Sequence, residues 1–255
     1  MTASAPLSLQ DEAQARAALA RRALPLLDLT DLSDTSTAAV EDLCGKARTS
    51  GVAAVCVWPD FVAGSVRALR GSGVRVATVI NFPAGGEDIE RAVADSRATL
   101  ADGADEIDLV LPYRALIRGE AESARAMVAA VREACPGRLL KVILETGELE
   151  DPALIAQASR LSLDAGADFI KTSTGKTPVS ATLPAAETML AALRAHGARP
   201  VGLKVSGGLR RVEDAGAYLA LADRIMGPDW VSPSTFRIGA SALHAEIVRA
   251  LEAAP

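Results

Sequence analysis

A chain of 255 residues that is 49% hydrophobic has enough apolar side chains for a well-buried core. Its formal net charge of -5 and its 3% aromatic content argue against nucleic acid or an anionic membrane as a main partner. Three cysteines, Cys44, Cys56 and Cys135, show no C-x-x-C spacing, and the two histidines are far apart, so neither a disulfide framework nor a metal cluster is indicated. With no signal-peptide core and no membrane-length apolar stretch, the expected setting is soluble and cytoplasmic.

The first predicted element is a helix, Ser8 to Leu19, within an N-terminal segment that we take as residues 1–23. From residue 24 to 255 the pattern changes. Short apolar runs recur at Leu24–Leu29, Val52–Val57, Val74–Ile80, Glu106–Leu111, Leu139–Leu144, Ala167–Lys171, Pro200–Val205 and Phe236–Gly239. Their spacing matches one βα unit each. Helical periodicity fills the gaps, over Ile89 to Leu100, Ser123 to Glu133, Pro152 to Asp164 and Pro184 to Arg194. Ser33-Asp34-Thr35-Ser36-Thr37 marks a helix start near Ala38. Eight strands in strict βα alternation predict a single (β/α)8 TIM barrel of the α/β class, with the N-terminal helix as an addition. A doubly wound sheet would place a glycine-rich fingerprint after its first strand, where this chain reads Asp28-Leu29-Thr30-Asp31-Leu32.

Functional residues of such a barrel sit toward the C-terminal ends of its strands. Charged residues there are Asp28, Asp108, Lys141, Lys171 and Lys204. Alternation within the fourth strand puts Ile107 and Leu109 toward the helices and turns Asp108 inward. The same parity pairs Lys141 with Ile143 and Glu145, and Lys204 with Gly202, whose small size would leave room beside the lysine. Two lysines end apolar runs and lead directly into glycine-containing loops. A buried lysine beside a second cation keeps a neutral amine, and only the neutral amine attacks a carbonyl. For Asp28 and Lys141 a structural ion-pair network explains the residues as well as a functional role does. Thr174-Gly175-Lys176, Ser206-Gly207-Gly208 and Gly239-Ala240-Ser241 follow the last three strands, where barrels commonly bind phosphate through backbone N–H groups. Together these features point to Schiff-base chemistry on a phosphorylated carbonyl compound.

The motifs also resemble a known family. Leu27-Asp28-Leu29-Thr30, Val55-Cys56-Val57-Trp58-Pro59, Ala77-Thr78-Val79-Ile80-Asn81-Phe82-Pro83 and Gly103-Ala104-Asp105-Glu106-Ile107-Asp108 are similar to those of the deoxyribose-phosphate aldolases. So are Leu140-Lys141-Val142-Ile143-Leu144-Glu145-Thr146-Gly147, Phe169-Ile170-Lys171-Thr172-Ser173-Thr174-Gly175-Lys176, Lys204-Val205-Ser206-Gly207-Gly208 and Arg237-Ile238-Gly239-Ala240-Ser241. The resemblance implies a class I aldolase that needs no metal or organic cofactor and cleaves 2-deoxy-D-ribose 5-phosphate to acetaldehyde and D-glyceraldehyde 3-phosphate. It implies that Lys171 forms the Schiff base, Lys204 lowers its pKa, Asp108 transfers protons, Lys141 anchors Asp108 and Asp28 holds the polar network. Thr30, Cys56 and Thr174 would lie near the substrate, and Gly175, Lys176, Gly207, Gly208, Gly239 and Ser241 would bind its phosphate. Two departures stand out. Ala242 replaces a second serine, and the chain ends Leu251-Glu252-Ala253-Ala254-Pro255 without the tyrosine that some members carry. A different phosphorylated ketose, or phosphosugar binding without catalysis, are the rival readings. The expected partner is a small phosphosugar, with a homodimer allowed.

Overall fold

The computed structural model describes residues 8–33, 36–197 and 199–253. Eight parallel strands close into a barrel in the order β1 to β8. They are β1 (Leu27–Thr30), β2 (Ala54–Val57), β3 (Arg75–Ile80), β4 (Glu106–Val110), β5 (Leu139–Ile143), β6 (Phe169–Lys171), β7 (Gly202–Ser206) and β8 (Phe236–Ala240). Each of the eight apolar runs contains one strand. The first run starts late because Leu24–Leu26 forms a single 3₁₀ turn: Pro25 has no N–H to offer a ladder. The seventh run likewise enters its strand two residues past Pro200. It also continues one residue further than expected, since the Ser206 N–H donates to Thr172 Oγ1 at 3.0 Å. Lys204 is therefore the middle residue of β7, whereas Lys171 is the last residue of β6. The stagger of the barrel still pairs Lys171 with Lys204, and Asp108 with Lys141, across adjacent strands. Barrel closure pairs Asp28 with Gly239.

The helices are α1 (Leu9–Ala23), α2 (Thr37–Ser50), α3 (Val62–Leu69), α4 (Ile89–Ala101), α5 (Tyr113–Ile117), α6 (Ala121–Ala134), α7 (Thr146–Leu149), α8 (Pro152–Asp164), α9 (Leu183–His196), α10 (Val212–Met226) and α11 (Ala242–Glu252). Four of the predicted helices extend by one to four residues at one or both ends. α8 matches its predicted bounds. The start signal before α2 holds through Ser36, whose hydroxyl caps Ala39 N–H; Asp34 and Thr35 lie outside the described residues, as do Ala254 and Pro255. α1 opens with a capping box between Ser8 and Asp11. It packs on α10 and α11, where Gly216 makes room for Leu19 and Arg16 bonds Glu213 and Glu246.

Strand alternation divides the interior into two environments. Ile107, Leu109, Leu140, Val142, Ile170, Leu203 and Val205 are fully buried in the large apolar core. A small separate cluster of Leu32, Cys56, Ala77 and Val79 forms an apolar wall on the β2–β3 side. The charged residues of β1, β4, β5, β6, β7 and β8 occupy the rest of the barrel.

Candidate active site

At the centre stands Asp108, fully buried in the middle of β4. Its Oδ2 accepts from Lys171 Nζ and from Lys204 Nζ, each at 2.8 Å. Its Oδ1 accepts from Lys141 Nζ at 2.8 Å. Three buried amines thus share one carboxylate. Two of them have further anions. Lys204 also reaches Asp28 Oδ2 at 2.6 Å, and Lys141 reaches Glu106 Oε2 at 2.5 Å and Asp28 Oδ2 at 3.6 Å. Among the described residues, Lys171 has Asp108 as its only carboxylate partner.

That inequality separates the lysines. Burial pushes the Lys171 amine down; Asp108 opposes this and Lys204 adds to it, and the net result is a lowered pKa. Burial would also lower Lys204, but Asp108 and Asp28 together outweigh it and hold this lysine well above its usual value. Lys141 is raised in the same way, by Asp108, Glu106 and Asp28 against burial. Burial alone would raise both aspartates. Lys204, Arg237 and Lys141 instead hold Asp28 far below the usual carboxylate range, and Lys141, Lys171 and Lys204 do the same for Asp108.

The five charged residues expected from the sequence come together as one network. Two of its members were not among the expected site residues. Glu106 shares Asp108's face of β4, and Arg237 lies inward on β8, bonding Asp28 Oδ1 at 2.6 Å and Glu106 Oε1 at 3.0 Å. Parity in the sequence already puts Glu106, two residues before Asp108, on the inward face, and the same rule applied to Arg237, two before Gly239, would have added it. One expectation fails. The space beside Gly202 is not free room next to Lys204: a Cβ there would lie 2.3 Å from Cε1 of Phe169, whose ring fills it.

Above the network, at the C-terminal end of the barrel, the loops after β1, β6, β7 and β8 enclose a cavity of about 370 Å³. It is lined by Thr30, Thr174, Gly175, Lys176, Gly207, Gly208, Gly239 and Ser241, together with Ala242 and the unforeseen Arg210. The glycines do different jobs. Gly207 has φ +88, and a Cβ on it would meet Ser180 at 2.6 Å and the Gly175 backbone at 3.4 Å, so the β6 and β7 loops touch backbone to backbone. Gly239 clears a path inside the barrel: its Cβ would sit 3.0 Å from Lys204 Cε and 2.7 Å from Ser206 Oγ. The Thr174 hydroxyl is committed, donating to Glu145 Oε2 at 2.5 Å and accepting the Lys176 N–H at 3.1 Å. Glu145, fully buried and raised in pKa by burial, braces the loop from behind. Lys176 Nζ crosses the mouth to the Leu32 carbonyl at 2.9 Å. Cys56 is fully buried in the apolar wall opposite, its thiol pushed up by burial.

A buried amine with a lowered pKa, a shared carboxylate and a glycine-lined cavity above them thus stand together at the C-terminal end of a TIM barrel. Over residues 22–244 the chain matches the DeoC/LacD family of aldolases, and it belongs to that family. The whole barrel is superimposable on solved relatives. A Toxoplasma gondii protein named as a deoxyribose-phosphate aldolase is 25% identical, with a TM-score of 0.89 and coverage of 96% of this chain and 98% of that one. A Coccidioides immitis protein of the same name is 31% identical, with a TM-score of 0.77 over 89% and 85% of the two chains. The tetrameric deoxyribose phosphate aldolase of Aeropyrum pernix, 24% identical, shares the fold at a TM-score of 0.73 over 97% of this chain and 99% of its own. The chain is an aldolase.

Proposed function

We propose that the protein cleaves 2-deoxy-D-ribose 5-phosphate reversibly to acetaldehyde and D-glyceraldehyde 3-phosphate through a Schiff base on Lys171. The observation that carries this reading is the position of Lys171: fully engaged with one carboxylate that two stronger cations also claim, and lowered in pKa by burial. The neutral amine attacks C1 of the open-chain sugar, and the carbinolamine takes up a proton at its hydroxyl and loses water to leave an iminium ion; that proton is given back when the final imine is hydrolysed. Asp108, bonded to Lys171 Nζ, takes the C3 hydroxyl proton. The C2–C3 bond breaks, its electron pair passes into the iminium to give an enamine, and glyceraldehyde 3-phosphate departs. Protonation at the enamine carbon and attack by water release acetaldehyde and restore the amine. No metal or organic cofactor is required, because the iminium itself is the electron sink.

The phosphate end fits the cavity at the mouth. Gly207 and Gly208 stand at positive φ in its lining, and α11 begins there, with Ser241 and Ala242 lining the cavity. Lys176 would exchange the Leu32 carbonyl for a phosphate oxygen, and Arg210 supplies a second cation. The family assignment and the likeness to relatives named as deoxyribose-phosphate aldolases support the substrate choice.

Two measurements test the proposal. A coupled assay should detect glyceraldehyde 3-phosphate released from deoxyribose 5-phosphate. Borohydride reduction with acetaldehyde, followed by peptide mass spectrometry, should place an ethyl group on Lys171. Release from a ketose phosphate alone, or labelling of Lys204, would overturn the substrate or the nucleophile respectively.

A further inference from the structure

Glu106 and Arg237 form the floor of the charged network and stand away from the mouth. Both are buried, 3% and 5% exposed. They line a second cavity, of about 550 Å³, at the N-terminal end of the barrel, with Arg75, Asp105 and Arg138 around it. A sugar phosphate entering above would not reach them. What they contribute to the site is charge, carried upward by contact: Arg237 to Asp28, Asp28 to Lys204, Glu106 to Lys141, and Lys141 to Asp108.

Among the described residues, the connected network holds three carboxylates, Asp28, Glu106 and Asp108, and four basic groups, Lys141, Lys171, Lys204 and Arg237; the buried Glu145 bonds Thr174 and Thr177 instead. With Lys171 protonated, four cations face three anions. With Lys171 neutral, three face three. An uncompensated charge inside a barrel is costly. We infer that Glu106 and Arg237 are positioning residues that set this balance from below, Arg237 disfavouring a proton on the Lys171 amine and Glu106 favouring one. The inference rests on Lys171 being the nucleophile.

Every strand but β3 directs a titratable group into this space. Asp28 comes from β1, Cys56 from β2, Glu106 and Asp108 from β4, Lys141 from β5, Lys204 from β7 and Arg237 from β8, while β3 presents Ala77 and Val79. The charge balance predicts opposite signs for the two floor residues. Arg237→Met removes a cation, so protonating Lys171 would restore neutrality and the amine should hold its proton to higher pH. Glu106→Gln removes an anion of the same shape, and the amine should lose its proton at lower pH. A residue that only supports the fold would lower activity without moving the titration in either direction.

The test is the pH dependence of borohydride trapping of acetaldehyde at Lys171, read by peptide mass spectrometry in wild type and in each variant. Arg237→Met should raise the half-maximal pH by about one unit, roughly fivefold less trapping at the wild-type midpoint. Glu106→Gln should lower it, Arg237→Lys should leave it in place, and Glu106→Gln/Arg237→Met should bring it back toward wild type. Should Arg237→Met fail to fold, the near-isosteric Glu106→Gln decides alone: a downward shift supports the inference, and an unmoved or raised midpoint overturns it. If wild type is not labelled at Lys171, the nucleophile reading fails. If wild type is labelled and the midpoints of the variants do not separate, only the charge inference fails.

Discussion

The unit from Phe169 to Lys176 and the unit from Gly202 to Gly208 are written in the same way: an apolar strand, an inward lysine, small polar residues and a positive-φ glycine. The barrel sets their lysines side by side, both on the same oxygen of Asp108. Yet one amine is lowered in pKa and the other raised. Burial is equal, so it cannot make the difference. The neighbouring strands do. β7 is followed around the barrel by β8 and β1, and β1 delivers Asp28 to Lys204. β6 lies beside β5, whose Lys141 brings another positive charge and claims Asp108 Oδ1. The lowered amine is the one with fewer anions than its neighbours, a property of the whole ring of strands.

The sharpest way to break this comparison is to remove each amine in turn. Lys171→Met should abolish both turnover and borohydride labelling, whereas Lys204→Leu should keep labelling at Lys171 and lose activity only conditionally. Without Lys204 the Lys171 amine moves toward the ordinary lysine value, where the neutral fraction at pH 7 is on the order of 10⁻³. The Lys204→Leu rate should therefore fall steeply at neutral pH and recover about tenfold per unit as pH rises. A profile identical to wild type would mean that Lys204 does not act through charge.

Asp108→Asn addresses the oxygen that the two lysines share. It preserves shape and removes a proton-transfer group, an effect of roughly 10²–10⁴ in rate. Raising the pH should not restore this variant. Recovery at high pH would assign Asp108 a purely electrostatic part and erase the contrast with Lys204→Leu.

The loops of the two units are compared by Gly207→Val. The new Cβ would press on Ser180, at 2.6 Å, in a backbone conformation that valine resists. The efficiency on deoxyribose 5-phosphate should fall about 10- to 100-fold, and that on unphosphorylated deoxyribose much less. Equal losses on the two substrates would separate the β7 loop from phosphate recognition.

Much of this arrangement was legible in the chain. Alternation alone turned Asp108 inward, and the repeat of apolar runs gave eight strands in order. Partner counts were not legible, because Asp28 and Lys204 are 176 residues apart and meet only when β8 closes on β1. Parity puts Glu106 on the face of Asp108, but a functional part for it or for Arg237 is not legible from strand ends, because both lie at the N-terminal end of the barrel. Gly202 misled for a related reason: its emptiness serves the ring of Phe169 in the layer beneath, and side-chain size across strands cannot be read from spacing along one.

The smallest expected effect is that of Lys171→Met on stability, and set beside Lys204→Met it distinguishes the two units directly. Lys204 bonds two buried carboxylates, so Lys204→Met strips Asp28 and Asp108 of a shared cation and should cost about 3–5 kcal/mol. Lys171→Met leaves Asp108 with Lys141 and Lys204. It loses one hydrogen bond but also removes an amine that folding holds against protonation. The folded pKa of Lys171 lies below its unfolded value, so the unfolded chain binds more protons between the two, and stability of the wild type rises with pH across that window. The handicap is complete below the folded pKa and disappears above about 10.4, the unfolded lysine value. Lys171→Met should accordingly stay within about 1 kcal/mol of wild type at neutral pH, and any advantage it has there should vanish as the pH approaches that upper limit. Urea unfolding of both variants from pH 6 to 10 measures this. A loss at Lys171→Met as large as that at Lys204→Met would show that both lysines are held as structural cations, and that the difference between the two units is not one of charge.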